Sequence, residues 1–113
     1  MNQNDYYSAI LDLVAGLCPA DSEELRFKAY APLDGSYLGG ICAYRIADRW
    51  NTVVMIPTVA EDLHGLVMDL RNNVLGEDNV KWLVTDMRLD TATGGFKARF
   101  DYEAPEYGMV DLD

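Results

Sequence analysis

The chain has 113 residues, half hydrophobic and a quarter charged, which suits one domain with one core. Nineteen acids against nine Lys and Arg give a formal net charge of −10. A surface of that sign repels nucleic acid and anionic membrane and attracts cationic partners. No run of about 18 apolar residues is present to span a bilayer. The start, Asn2-Gln3-Asn4-Asp5, has neither the basic nor the apolar region of a signal peptide, so the expected compartment is the cytoplasm.

In chain order, Asn4 is placed to cap a helix beginning at Asp5. Tyr6, Ile10, Leu13, Val14 and Leu17 then recur at helical spacing as one apolar stripe, and Pro19 stops the helix just after Cys18. In "ELRFKAYA", Leu25, Phe27 and Ala29 alternate with Arg26, Lys28 and Tyr30, the pattern of a half-buried strand. Pro32, Asp34 and Gly35 make a turn. "SYLGGICAYRIA" reads as a second strand, in which Gly39 and Gly40 mark a bulge or a close approach of another group to the backbone. Asp48-Arg49-Trp50-Asn51 reads as a short connection and "TVVMI" as a third, apolar strand.

Thr58 and Glu61 have the spacing of a capping box. The helix they open carries Val59, Leu63, Leu66, Val67, Leu70 and Val74 on one side, with Gly76 as its stop. A hairpin follows, Lys81 to Asp90 and Phe96 to Tyr102, turning through Gly94 and Gly95. Alternation places Leu83, Thr85, Met87 and Leu89 on one face of its first strand. Trp82, Val84, Asp86 and Arg88 fall on the other. Phe96, Ala98, Phe100 and Tyr102 alternate with Lys97, Arg99 and Asp101. The segment 103–113 has four acids and no base and reads as a loose acidic tail or a short added segment.

The expected fold is therefore α+β, a two-layer sandwich in the order α-β-β-β-α-β-β. It has an antiparallel sheet and both helices on one face, because each helix has a single apolar stripe.

Catalytic chemistry is not legible. His64 is the only histidine and lies on the flank of the second helix, so no Ser/His/Asp or Cys/His set can be assembled around it. Metal-ligand spacing is absent, and Cys18 and Cys42 read as reduced thiols. Asp86 and Asp90 superficially suggest a calcium loop, but both fall in a strand and no glutamate closes a twelve-residue loop. The glycines match no phosphate-loop spacing. Neighbouring acids such as Glu61 and Asp62 read as a solvated face. The reading is a non-enzyme without cofactor or metal.

"MIPTVAEDLHGLVMDLRNNV" leading into "KWLVTDMRLDTATGGFKARFDYE" resembles the YezG-like immunity proteins of bacterial polymorphic toxin systems. The likeness lies in an acidic helix entered through a proline and in Trp82 opening the next strand. A hairpin then passes into Phe96, Lys97, Phe100 and Tyr102. It covers Arg45 to Glu103 in detail and the N-terminal third by pattern. The resemblance implies an immunity protein, or antitoxin, that neutralises a cognate secreted toxin with a basic surface, such as a nuclease. Contact residues do not transfer with it. From charge and alternation, the expected partner-binding residues are Asp86, Asp101, Glu103, Glu106, Asp111 and Asp113. The alternative is an acidic, type III-like secretion chaperone that holds an unfolded effector segment. It has the same order of elements. The toxin's activity and a choice between monomer and homodimer are beyond the sequence.

Overall fold

The computed structural model describes residues 1–74 and 81–112; the side chains of Asn73 and Val74, the expected stop at Gly76, and Asp113 lie outside the described residues. Helix α1 spans Gln3–Leu17, and strands β1, β2 and β3 span Glu24–Tyr30, Gly39–Ile46 and Arg49–Val53. Helix α2 spans Pro57–Asp69 and runs on through a π-helical turn, Leu70–Val74. Strands β4 and β5 span Val84–Asp90 and Phe96–Asp101, and a short 3-10 turn covers Glu106–Gly108. The order of elements and the α+β class are those expected. The five strands form one sheet in the order β3-β2-β1-β4-β5, with every neighbouring pair antiparallel. The chain thus builds one half of the sheet outward from β1 and returns through α2 to build the other.

Both helix starts differ from expectation. Asn2, not Asn4, caps α1: its side chain accepts the Asp5 N–H, and the Asp5 carboxylate accepts the Asn2 N–H, each at 3.0 Å. That reciprocal box needs an acid three residues on, which Asn2 has and Asn4, followed at that spacing by Tyr7, does not. At α2, Ile56 occupies the cap without a side-chain bond and Pro57 starts the helix. Proline's fixed φ suits the first helical position, so Thr58 is already helical and cannot act as the cap.

The third strand also starts earlier than expected. Ala47 and Asp48 both have positive φ, 51° and 62°, and form a two-residue hairpin turn between β2 and β3. That conformation matches the sheet's twist. Glu23 accepts the Ala47 N–H at 3.0 Å, while Arg45 reaches Asp48 and Glu23, so the turn is held by Glu23, just before β1, and by Arg45 of β2. Val54 and Ile56, expected in the strand, lie beyond it and are exposed. Gly39 and Gly40 sit in unbroken register opposite Tyr30 and Ala29, so there is no bulge there. A Cβ on Gly40 would lie 3.3 Å from the Phe27 ring, which is the close approach the glycine allows.

One hydrophobic cluster joins Tyr6, Ile10 and Val14 of α1, Leu63, Val67 and Leu70 around α2, and Phe27, Cys42 and Met87 of the sheet. Trp82 belongs to it, with its ring 4.9 Å from that of Phe100, although alternation alone puts it on the opposite face. The cause is local. Val84 is the register partner of Asp101, yet the Leu83 N–H also donates to the Asp101 carbonyl at 2.8 Å. Two residues face one, as in a β-bulge, and the extra residue turns Trp82 back to the core.

Candidate partner-binding surface

The strand residues that alternate with the core set carry the other sheet face. Register brings Arg26, Lys28, Arg45, Arg88, Lys97 and Arg99 onto it, six of the nine bases. Arg26 is 4% exposed and forms a two-pronged pair with Asp86, with Nε to Oδ1 at 3.0 Å and Nη2 to Oδ2 at 2.8 Å. The guanidinium carbons of Arg26 and Arg88 each lie 5.8 Å from the Trp50 ring centre, a cation–π contact on the same face.

The expected partner-binding acids are dispersed by this arrangement. Asp86 is already bound to Arg26, with its side chain 12% exposed. Burial pushes its carboxyl upward, but the hydrogen bond and charge of Arg26, with Arg88 and Lys28 behind, outweigh that and hold it below the usual carboxylate range. Asp101 is exposed on β5, 4.0 Å from Arg99. Glu103, Glu106 and Asp111 are exposed along the C-terminal segment. That segment lies on the sheet. The Leu112 carbonyl accepts from Arg26 Nη1 at 2.7 Å, and a Cβ on Gly39 would come within 3.8 Å of the Gly108 carbonyl. A cavity of about 810 Å³ separates it from Lys28, Val84 and Asp101. Within β4 and β5 themselves, Asp86, Asp90 and Asp101 are matched by Arg88, Lys97 and Arg99, so the two strands carry no net charge.

The charge concentrates instead on the helices. α1 carries Asp5 and Asp12, and α2 carries Glu61, Asp62 and Asp69; neither contains a Lys or Arg. All five acids are exposed. Asp12, Glu61, Asp62 and Asp69 border an open groove between the helices, floored by Ala9, Leu13, Gly65 and Leu66. Tyr6 Oη donates to Asp69 Oδ2 at 2.5 Å and ties α1 to α2. That hydrogen bond, with lesser help from burial and the Asp69 charge, raises the Tyr6 hydroxyl above its ordinary pKa. The sequence does carry a signal of these acidic helices: no Lys or Arg occurs before Arg26 or between Trp50 and Leu70.

Other candidate groups have structural partners. His64 Nε2 lies 3.0 Å from the Gly35 carbonyl and holds the β1–β2 turn against α2. Asp90, one of the two acids that superficially suggest a calcium loop, accepts the N–H groups of Ala92 and Thr93 at 2.9 and 3.2 Å and so closes the hairpin turn. Both cysteines are free, and burial, with Cys18 adding to it, pushes the Cys42 thiol up to about 12. Among the described residues, no group of three or more His, Cys, Asp and Glu is arranged to hold a metal, and no helix is long and apolar enough to cross a membrane. No protein-family model matches the chain, and no curated protein matches it.

Proposed function

We propose that the chain is an immunity protein that binds a cognate secreted toxin domain, a nuclease, by laying its helical layer against the toxin's cationic active-site surface. The observation that supports this reading is the pair of exposed helices with five carboxylates and no Lys or Arg, bordering a groove with an apolar floor. A nuclease needs clustered Lys and Arg to hold phosphates. An acidic face, opposite in sign, is steered to such a cluster and competes for it, while the apolar floor supplies area to bury. Residence in the cytoplasm belongs to the same reading, because there the protein meets a toxin that attacks nucleic acid.

The test uses the toxin domain encoded in the neighbouring reading frame. Co-production of this chain should restore growth, and an equimolar amount should abolish nuclease activity in vitro. Replacing Asp12, Glu61 and Asp62 together by Asn, Gln and Asn should slow association about tenfold at low salt, and much less at high salt. Replacing Asp101 and Glu103 should change it little. Undiminished nuclease activity at equimolar chain would refute the proposal. Binding only to an unfolded stretch of the neighbour would put the secretion-chaperone reading in its place.

A further inference from the structure

A second surface lies at the edge of the sheet formed by β5, beside the face that carries the strand cations. Three facts define it. First, β5 is an edge strand with β4 as its only strand neighbour among the described residues. The Asp90 N–H donates to the Gly95 carbonyl, so Gly95 and the residues in phase with it, Lys97 and Arg99, turn their backbone groups toward β4. Phe96, Ala98 and Phe100 therefore turn theirs outward, as donors and acceptors for a further strand. Second, a hollow of about 560 Å³ beside this edge is lined by Arg88, Lys97 and Arg99. Third, those cations are paired only loosely, Arg88 acting on Asp86 through its charge without a direct ion pair. Among the described residues, Arg88 and Lys97 form no salt bridge, and Arg99 has only Asp101, at 4.0 Å. The carboxylates of Glu24, Asp86 and Asp90, which share the hollow, are engaged elsewhere: Glu24 with Arg45 at 3.2 Å, Asp86 with Arg26 at 2.8 Å, and Asp90 with the N–H groups of Ala92 and Thr93 at 2.9 and 3.2 Å.

We propose that the β5 edge and this hollow bind an extended acidic segment of a partner protein, which adds to the sheet as a sixth strand. Charge complementarity selects this occupant. An added strand pairs its backbone with Phe96, Ala98 and Phe100. Its residues opposite Lys97 and Arg99 then fall in the closer, non-hydrogen-bonded positions, with side chains on the cationic face. Lys97 and Arg99 are two residues apart, roughly 6.8 Å along a strand, which is also the spacing of alternate residues in the ligand. The preferred ligand therefore has Asp or Glu at every second position. A second copy of β5 is disfavoured by the same residues, since self-pairing brings Lys97 and Arg99 close to the same cations of the copy. The β5 site is independent of the immunity reading and holds whether or not the helical layer binds a toxin.

The probe is an acetylated, fluorescent peptide of alternating Glu and Val, seven residues long, titrated into the full chain by anisotropy and amide NMR. The expected result is saturable binding, with shifts and slowed exchange at Phe96, Ala98 and Phe100. N-methylation of the probe's valines, whose N–H groups would face β5, should weaken binding about tenfold or more. So should Lys97→Glu with Arg99→Glu, and so should Ala98→Pro, which removes only an outward N–H. The methylated probe leaves the protein unaltered, so it decides the matter even if a variant fails to fold. The proposal is overturned if methylation has no effect, or if inorganic phosphate or a short oligonucleotide displaces the peptide at equal concentration. Absence of binding overturns it as well, as does sedimentation showing that the chain alone dimerises through β5.

Discussion

Asp86 illustrates how a carboxylate that looks available in sequence is bound within the fold. Alternation correctly puts it on the face away from the core, but it cannot reveal that Arg26, 60 positions earlier, lies diagonally across the neighbouring strand. The pair is nearly dry, so its loss matters for stability. Asp86→Asn leaves Arg26 buried without its carboxylate and should cost about 3 kcal/mol at pH 7, read from urea unfolding. The pH dependence has a definite sign. A carboxyl lowered in the folded state contributes its stability above the unfolded value of about 3.9 and loses it as pH falls through the folded value. The stability curves of wild type and Asp86→Asn should therefore converge toward pH 2. An undiminished gap at that pH would show that the charge of Asp86 is not what stabilises the fold. Arg71 is a second residue whose partners the sequence conceals. A charged side chain is expected on the flank beside His64, yet it is fully buried and donates to the carbonyls of Ala31 and Pro32. Leu63, Val67, Leu70 and Arg71 stand at the i, i+4, i+7, i+8 spacing of one helical face, so the stripe itself carries Arg71 inward; what spacing conceals is the pair of carbonyls that accepts its guanidinium.

At the scale of elements, periodicity is enough to find both helices and all five strands. The amphipathic stripes and the alternation of Leu25, Phe27 and Ala29 mark which side of each element leaves water, and burial of apolar surface is the strongest force favouring the fold. Ends and corners are less legible because they depend on one or two local bonds. Asn2 and Asn4 are equally good caps by residue type; the carboxylate at Asp5 chooses between them. Asn2→Ala should lower stability by about 1 kcal/mol, while Asn4→Ala should leave it within about 0.5 kcal/mol. The reverse order in thermal melts would return the cap to Asn4. The Ala47-Asp48 turn escapes a reading of the sequence because neither residue is a glycine, and its positive φ values are supported from Glu23 and Arg45. The bulge at Leu83 leaves no mark in the sequence, so alternation assigns Trp82 to the wrong face. On α2 the apolar stripe is legible but its burial is graded: Leu70 is fully buried while Leu66 is half-buried. Leu70→Ala should cost about 2–5 kcal/mol and Leu66→Ala clearly less, as measured by denaturant midpoints at constant slope.

For the whole molecule, net charge is a poor guide to what any one partner meets. The extents are 41 × 31 × 25 Å, while screening at physiological salt acts over about 8 Å, so even the thinnest dimension spans several screening lengths. Each face presents its own charges. The helices carry five acids and no Lys or Arg, whereas the strands carry seven bases, Arg26, Lys28, Arg45, Arg49, Arg88, Lys97 and Arg99, against Glu24, Asp86, Asp90 and Asp101. Composition sums these into one number, and chain order then suggests the hairpin and tail as the negative surface. Strand register, which sequence spacing does not contain, brings the bases together and leaves the helices as the acidic elements. Paired paramagnetic probes can measure this separation directly. A cationic and an anionic nitroxide of the same size are added in turn, and the relaxation enhancement of each backbone amide is compared. At physiological salt, amides of α1 and α2 near Asp12 and Asp62 should be enhanced more by the cationic probe. Amides around Lys97 and Arg99 should favour the anionic probe, despite the formal net charge of −10. At an ionic strength of about 1 M, where screening shortens to about 3 Å, both preferences should shrink together. A uniform preference for the cationic probe over the whole surface would mean that net charge governs after all, and would remove the electrostatic basis of both the helical toxin surface and the β5 peptide site.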